Sequence, residues 1–399
     1  MAGPVDVPFD MTRRGRVGVV TGSRAEFGLL RPVMAAVRDH PHLELLCIAA
    51  GSHLVSPALT YYEVKREFPI AAAVPMQTPG RTGRDADVQA LGLGITRFGR
   101  VFADLALDWV VVLGDRIEAF AAGAAASVGG VALAHVHGGD RAEGVADEAM
   151  RHALTKLAHV HFPATSASAE RLRRMGEPAA FVHEVGSPAI DDLASYPAIN
   201  DETFRHLGEP DTLVLMHPIG RDDEREEAAM AEVLGACAGR RVLALHPNLD
   251  PGRGGIVRAL RDLMAIDDQT PAPGDGRPVA APHLERRVFV GLLKRLASGG
   301  GVMVGNSSAG LIEASALGLA AVDVGRRQAG RERPASVVHV DAERCDDVRA
   351  GVERALAWRA PAGGPVHPYG DGHAGERIAA ALARVYPRDP DLLRKRCAY

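Results

Sequence analysis

Residues 134–162 read AHVHGGDRAEGVADEAMRHALTKLAHVHF, a run that sets five of the protein's 16 histidines among carboxylates and a glycine pair. A metal site, an acid–base site and a merely His-rich helix are all open readings of such a run. His135 and His137 are two apart on an apolar stretch that reads as a strand over 131–137, so they share a face. An HxH pair of this kind suits a metal, and His159 and His161 repeat the spacing. Such sites also need a convergent carboxylate and histidines from other strands. The chain arranges none recognisably, and no metal is expected. The helix expected over 147–158 opens with Asp147 and Glu148 directly after the glycine loop. One reading pairs them with Arg151 and His152 at i, i+4 on a solvated face, with Met150, Ala153, Leu154 and Leu157 as the buried stripe. The other has them project past the strand end beside an imidazole. Carboxylates so placed suit acid–base chemistry at an anomeric carbon.

Three further polar turns fall at strand ends: TGSRAEFG (21–28), LGDR (113–116) and GNSSAG (305–310). In the last, Ser307 and Ser308 open a helix expected over 310–317, where hydroxyls and unpaired N–H groups suit phosphate oxygens; a simple N-cap is the plainer reading. Glu313 follows one turn on, either to bond a ribose diol or as a solvated helix residue. Arg326, Arg327, Arg331 and Arg333 form a basic loop after the next strand, solvated or set beside that phosphate-type turn. TGSRAEFG offers Arg24 to a phosphate but lacks both GxGxxG and the Walker lysine, so it does not signal NAD or ATP. Asp115 and Arg116 are adjacent charges just past VVVL, at a depth where charges need partners. A purely structural ion network accounts for them equally well.

The elements that must position these turns alternate regularly. Short β-branched or apolar runs (17–20, LELLCIAAGS, DWVVVLGDR, GVALAHVHGG) are each followed by an amphipathic helix pattern. After a polar, Pro-containing stretch at 187–208 the cycle resumes: TLVLMHP, helix 222–237, RVLALHPN, helices 256–264 and 286–297, GVMVGNSS, then AAVDVG. Parallel strands covered by helices are the expected result. At 399 residues two domains are expected, here 16–190 and 191–374, with a last helix near 375–386. Residues 266–282 read as a surface loop, and residues 1–15 as a loose tail. A formal charge of −4 gives no reason to expect nucleic acid or an acidic membrane as partner. Four scattered cysteines without CxxC indicate neither disulfides nor a zinc knuckle. No segment reads as a signal peptide or membrane span, and a cytoplasmic protein is expected.

TGSRAEFGLLRP, LGDR, HVHGGDRAEGVADEAMRHALTKLAHVHF, HPNLDPG, GNSSAGLIEASALG and GRRQAGR occur in the order and spacing of UDP-N-acetylglucosamine 2-epimerases. The long central block resembles their hydrolysing branch, which makes precursors of sialic-type sugars. The match runs from about residue 16 to 340. The resemblance implies a GT-B fold, two Rossmann-like domains facing a cleft, with a C-terminal helix (375–399) returning to the first. It implies no NAD or other cofactor, no catalytic metal, a UDP-sugar as the binding partner, and a homo-oligomer, dimer or tetramer. In such enzymes UDP is eliminated across C1–C2 to give a 2-acetamidoglucal, and water then adds to release N-acetylmannosamine. By motif, the implied acid–base groups are Asp115, His137, Asp147 and Glu148, with His217 at the catalytic end of the diphosphate. Arg24, Arg116, His217, Ser307 and Ser308 are implied to hold the diphosphate. Asn248 and Arg327 would lie around the nucleotide, and Glu313 would take the ribose.

The chain departs from the family pattern in places. His137 stands where some hydrolysing members carry a catalytic Glu, and Gly220 where a hydroxyl residue is usual. The loop at 266–282 is long. The sugar is thereby left open between N-acetylglucosamine and one bearing a second acetamido group. A non-hydrolysing epimerase, a GT-B glycosyltransferase and an inactive UDP-sugar sensor are the rival readings. Retention of the carboxylates opposes the sensor, and the central block opposes the non-hydrolysing enzyme.

Overall fold

The computed structural model describes residues 13–56, 58–81, 83–142, 148–248, 250–265 and 278–396. Two compact units emerge. The first runs to Asp140, resumes through Asp191 and takes the chain back from Tyr369; the second holds Asp192–Pro368 and a short segment starting at Arg141.

The strands of unit 1 are β1 (Gly15–Thr21), β2 (Leu43–Ala50), β3 (Ile70–Val74), β4 (Trp109–Leu113), β5 (Ala132–Val136) and β6 (Val160–Phe162). They form one parallel sheet in the order β3-β2-β1-β4-β5-β6. Alternation along each strand feeds two separate cores. Val17 and Val19 of β1 join Trp109, Val111 and Leu113 of β4 on one face. Val20, Val110 and Val112 turn to the other. Helix α1 (Arg24–Asp39) and the C-terminal helix Ala374–Arg384 cover the first face through Leu30, Met34, Ile378 and Leu382. Helices α2 (Tyr61–Glu67), α3 (Arg84–Asp104) and α4 (Ile117–Val128) follow in the chain; Phe98, Phe102, Ala119 and Ala122 of the last two cover the second face. Burial on both faces is why these strands are runs of Val, Leu and Ala rather than alternating apolar and polar residues.

Unit 2 repeats the plan with β7 (Thr212–Leu215), β8 (Val242–Leu245), β9 (Val279–Ala281), β10 (Val302–Gly305), β11 (Ala320–Val324) and β12 (Val337–Val340), ordered β12-β11-β10-β7-β8-β9. Counted within its own unit, that order matches the first sheet, and both reverse direction beside their first strand. In such sheets the crevice past the carboxyl ends at the reversal is where ligands bind. The turns after β1, β4 and β5, and after β7 and β10, therefore matter most.

Several local expectations change. The end of the supposed loop at 266–282 is strand β9, paired with β8 because an edge position there satisfies its backbone; residues 266–277 lie outside the described residues. The polar stretch 187–208 holds a short helix, Asp201–His206, whose N-cap Asn200 accepts from Thr203 N. The helix expected over 310–317 is two short turns, Ser308–Leu311 and Glu313–Ala316, broken at Ile312. Cys47, Cys237 and Cys345 are free thiols. Among the described residues no helix is long and apolar enough to cross a membrane.

Candidate functional site

In unit 1 the site is built at the carboxyl ends of β4 and β5. Asp115 lies two residues past β4, and its Oδ2 meets Arg151 Nη2 of α5 (Glu148–Leu157) in a close ion pair. The same guanidinium donates through Nη1 to Glu148 Oε2 at 2.9 Å and to the Asp140 carbonyl at 3.1 Å. Arg151 is 3% exposed while its two carboxylate partners keep about a fifth of their surface, so the cation sits beneath two carboxylates that reach solvent. Glu148 Oε1 also meets His152 Nε2 at 3.2 Å, the i, i+4 pair expected from sequence. Asp147 lies outside the described residues.

The buried face of α5 is not the expected one. Arg151, Leu154 and Thr155 are buried, whereas Met150, Ala153 and Leu157 are only partly covered. Turning Arg151 inward toward Asp115 rotates the apolar stripe. An arginine one helical turn after the helix-opening carboxylate Glu148 was the available signal.

His137 is not a strand residue. The strand stops at Val136, and His137 takes a left-handed backbone, φ 63°. Its ring is therefore not on the face of His135. His135 bonds the Gly114 carbonyl through Nε2 at 2.7 Å, and burial pushes it down to about 3, so it is a neutral core residue. His137 lies 2.9 Å from Asp140 Oδ2 through Nδ1 and 3.0 Å from Ser187 Oγ through Nε2. With 4% of its surface exposed, its ring is held on both nitrogens. The turn needs glycine two residues on: Gly139 has φ 76°, and a Cβ there would collide with the Ser168 carbonyl. Among the described residues no group of three or more His, Cys, Asp or Glu is set to hold a metal ion.

The turn after β1 carries Arg24, which pairs with Glu63 at 3.2 Å, and the start of α4 carries Arg116, 3.5 Å from Glu118. Between these turns lies a carboxylate not singled out from sequence, Glu26. Ser23 and Glu26 form a capping-box pattern, S-x-x-E, which was the overlooked signal. Ser23 caps α1, and Glu26 Oε2 accepts from Gly22 N at 3.0 Å. Burial, reinforced by the Glu118 carboxylate and opposed by Arg116, raises Glu26 to about 8. An acid whose folded value lies above its unfolded one holds its proton in the fold, so its stabilisation is complete below about 4.5 and is lost as pH rises towards 8. Glu26→Gln should therefore flatten the fall in thermal midpoint between about pH 5 and 8. Scanning calorimetry across that range checks this; an unchanged slope contradicts it.

In unit 2 the turns after β7, β8 and β10 meet around Asn306. Its side chain accepts from His217 N at 2.7 Å and donates to His217 O at 2.8 Å, a reciprocal clasp joining two strand ends. Its own carbonyl accepts from Arg327 at 3.2 Å and Gln328 at 2.9 Å. Asn248 N donates to His217 Nδ1 at 3.1 Å, and the Asn248 side chain bonds Asp250. His217, Asn248, Ser307 and Arg327 are thus tied into one cluster, with Ser307 capping its turn by accepting from Ala309 N and Ser308 following it. Gly305 makes the approach possible, since a Cβ there would collide with the Leu215 carbonyl. Glu313 is no solvated helix residue: it is buried and bonded at 2.8 Å to Arg286, which also holds Asp192 at 3.1 Å. Asn306 and Arg286 were not foreseen as functional. The basic loop is likewise partly inward, with Arg333 on the buried Asp323 at 2.8 Å. Back in unit 1, a cavity of about 230 Å³, lined by His159, Glu177 and Lys395, lies at the start of β6, at the opposite end of the first sheet from the Asp115 turn.

With this geometry established, comparison with known proteins is decisive. Residues 35–383 match the profile of the family described as UDP-N-acetylglucosamine 2-epimerase. The chain belongs to that family. The UDP-N-acetylglucosamine 2-epimerase fold accounts for both sheets. A crystal structure of UDP-GlcNAc 2-epimerase from Neisseria meningitidis, bound to UDP-GlcNAc, superposes with a TM-score of 0.73 at 17% identity, covering 92% of this chain and 99% of that one. The fold is GT-B, built from two Rossmann-like sheets. A Legionella pneumophila protein named UDP-N,N'-diacetylbacillosamine 2-epimerase (hydrolyzing) is 34% identical over 95% of this chain and 98% of its own length. A Neisseria meningitidis protein named UDP-N-acetylglucosamine 2-epimerase is 32% identical over 82% of this chain and 84% of its own. As a member of this epimerase family, the protein is an enzyme of UDP-sugars.

Proposed function

We propose that the protein is a hydrolysing 2-epimerase, converting a UDP-2-acetamido sugar and water to the free 2-epimeric sugar and UDP. The observation that carries this reading is the Asp115–Arg151–Glu148 arrangement at the ends of β4 and α5. Elimination across C1–C2 needs a base for the C2 proton and negative charge near an oxocarbenium-like C1. Two carboxylates fixed by one buried guanidinium supply both. Asp115 and Glu148, with Asp147 beside them in sequence, are assigned the acid–base work, and so is His137, which is linked to them through Asp140 and Arg151. Arg24, Arg116, His217, Ser307 and Ser308 are assigned the diphosphate, Asn248 and Arg327 the nucleotide, and Glu313 the ribose. The acid–base chemistry asks nothing of a cofactor.

The full-length similarity to a relative named as hydrolysing supports hydrolysis over retention of UDP. That same relative's name favours the sugar with a second acetamido group, UDP-2,4-diacetamido-trideoxyglucose, over UDP-N-acetylglucosamine. Steady-state release of UDP from the two sugars, measured side by side, tests this. The diacetamido sugar should give the higher kcat/KM by about tenfold or more, the scale of one extra well-fitted group. A preference for UDP-N-acetylglucosamine would reverse the substrate assignment.

A further inference from the structure

Resting on the acid–base reading above, we infer that Asp140 is the positioning residue of this site: its carboxylate sets the tautomer of His137 and its carbonyl seats Arg151. Asp140 is 4% exposed, and every oxygen it has is used. Oδ2 lies 2.9 Å from His137 Nδ1, Oδ1 accepts from Ser168 Oγ at 2.8 Å, and the carbonyl accepts from Arg151 Nη1 at 3.1 Å. An ionised carboxylate only accepts, so His137 carries its proton on Nδ1. Nε2 is then the lone-pair nitrogen and accepts from the hydroxyl of Ser187, whose oxygen in turn accepts from Ala189 N at 3.3 Å.

The Ser187–His137–Asp140 chain has the connectivity of a hydrolase triad, yet Ser187 is wholly buried and caps a helical turn. It has no route to an acyl substrate. What the chain does is fix the imidazole and, through residue 140, couple it to the guanidinium that joins Asp115 and Glu148.

The surroundings also determine what asparagine would do here. Ser168 Oγ donates its one proton to Asp140 and receives Thr165 Oγ1 at 3.0 Å and Arg171 Nη1 at 3.2 Å. Both its lone pairs are taken, so it has no place for an amide NH2. In Asp140→Asn the amide oxygen must therefore face Ser168 and its NH2 must face His137. That forces the imidazole proton onto Nε2, where Ser187 accepts it. A volume-neutral change thus inverts a tautomer.

The test uses the full-length enzyme labelled with 15N-histidine, His137 being assigned by its absence in His137→Gln. At pH 8 the wild type should give the Nδ1–H signature, and Asp140→Asn the Nε2–H signature. kcat of that variant should fall about 10²-fold with KM within about threefold, since positioning acts on the transition state rather than on ground-state binding. A wild-type Nε2–H signature, an unchanged kcat, or a loss confined to KM would overturn the assignment. Should Asp140→Asn fail to fold, the wild-type tautomer alone decides. The spectrum needs no substrate, so it separates this inference from the functional reading: a wild type with the Nδ1–H tautomer but no turnover of either UDP-sugar would sink the reading and leave the tautomer standing.

Discussion

Replacing Arg151 by methionine should all but abolish turnover, lowering kcat by about 10³-fold or more, and should destabilise unit 1 by roughly 3 kcal/mol. The side chain fits a buried slot at 3% exposure, so methionine preserves much of the packing while removing the charge. Asp115 and Glu148 then lose the guanidinium that holds both in place, so neither is fixed where the C2 proton and C1 need it. Because both partners reach solvent, the stability loss falls at the low end of the range for a broken buried pair. Arg151→Lys should recover stability better than activity, since one ammonium cannot make the forked contacts to Asp115, Glu148 and the Asp140 carbonyl. Denaturant melts and steady-state kinetics on the three proteins check this. An Arg151→Met enzyme with more than a tenth of wild-type kcat contradicts it.

Asn306→Ala should have its largest effect on UDP affinity, weakening it by about 10²-fold, with kcat at saturation reduced far less. The side chain is 1% exposed and makes two bonds to the backbone of His217. Deletion removes both bonds to the half-buried His217 backbone, at a cost of up to about 1–3 kcal/mol each where water does not replace them. His217 then loses its fixed position, and with it the bond that Asn248 N makes to its ring. The remaining acid–base groups are in the other unit, so chemistry on bound substrate should persist. Calorimetric titration of UDP, set beside kcat, checks the split; equal losses in affinity and kcat would show that Asn306 does more than shape the nucleotide cluster.

Much of this was legible in the sequence where chemistry and local pattern agree. Short apolar runs followed by helical patterns are what a parallel sheet buried on both faces requires, and the resulting fold is the one found. Asp115 and Glu148 stand out because carboxylates at strand ends and helix starts are conspicuous against apolar neighbours. What escaped depends on contacts distant in the chain. Arg151 pairs with Asp115 across 36 residues, a partner that helical spacing cannot reveal, so the local expectation turned it to solvent. Asn306 clasps His217 across 89 residues, and Glu313 finds Arg286 across 27, for the same reason. His137 was misplaced by one residue of strand. Only its left-handed backbone, which periodicity does not report, takes its ring off the face of His135.

On the proposed reading, this chain abstracts the C2 proton, expels UDP and lets water take its place. Turnover of the UDP-2-acetamido sugar in D2O, followed by 1H and 31P NMR, tests it most directly. The expected products are free UDP and the free 2-epimeric sugar carrying deuterium at C2. A 2-epimer still bound to UDP, or free sugar retaining its original C2 proton, would contradict it.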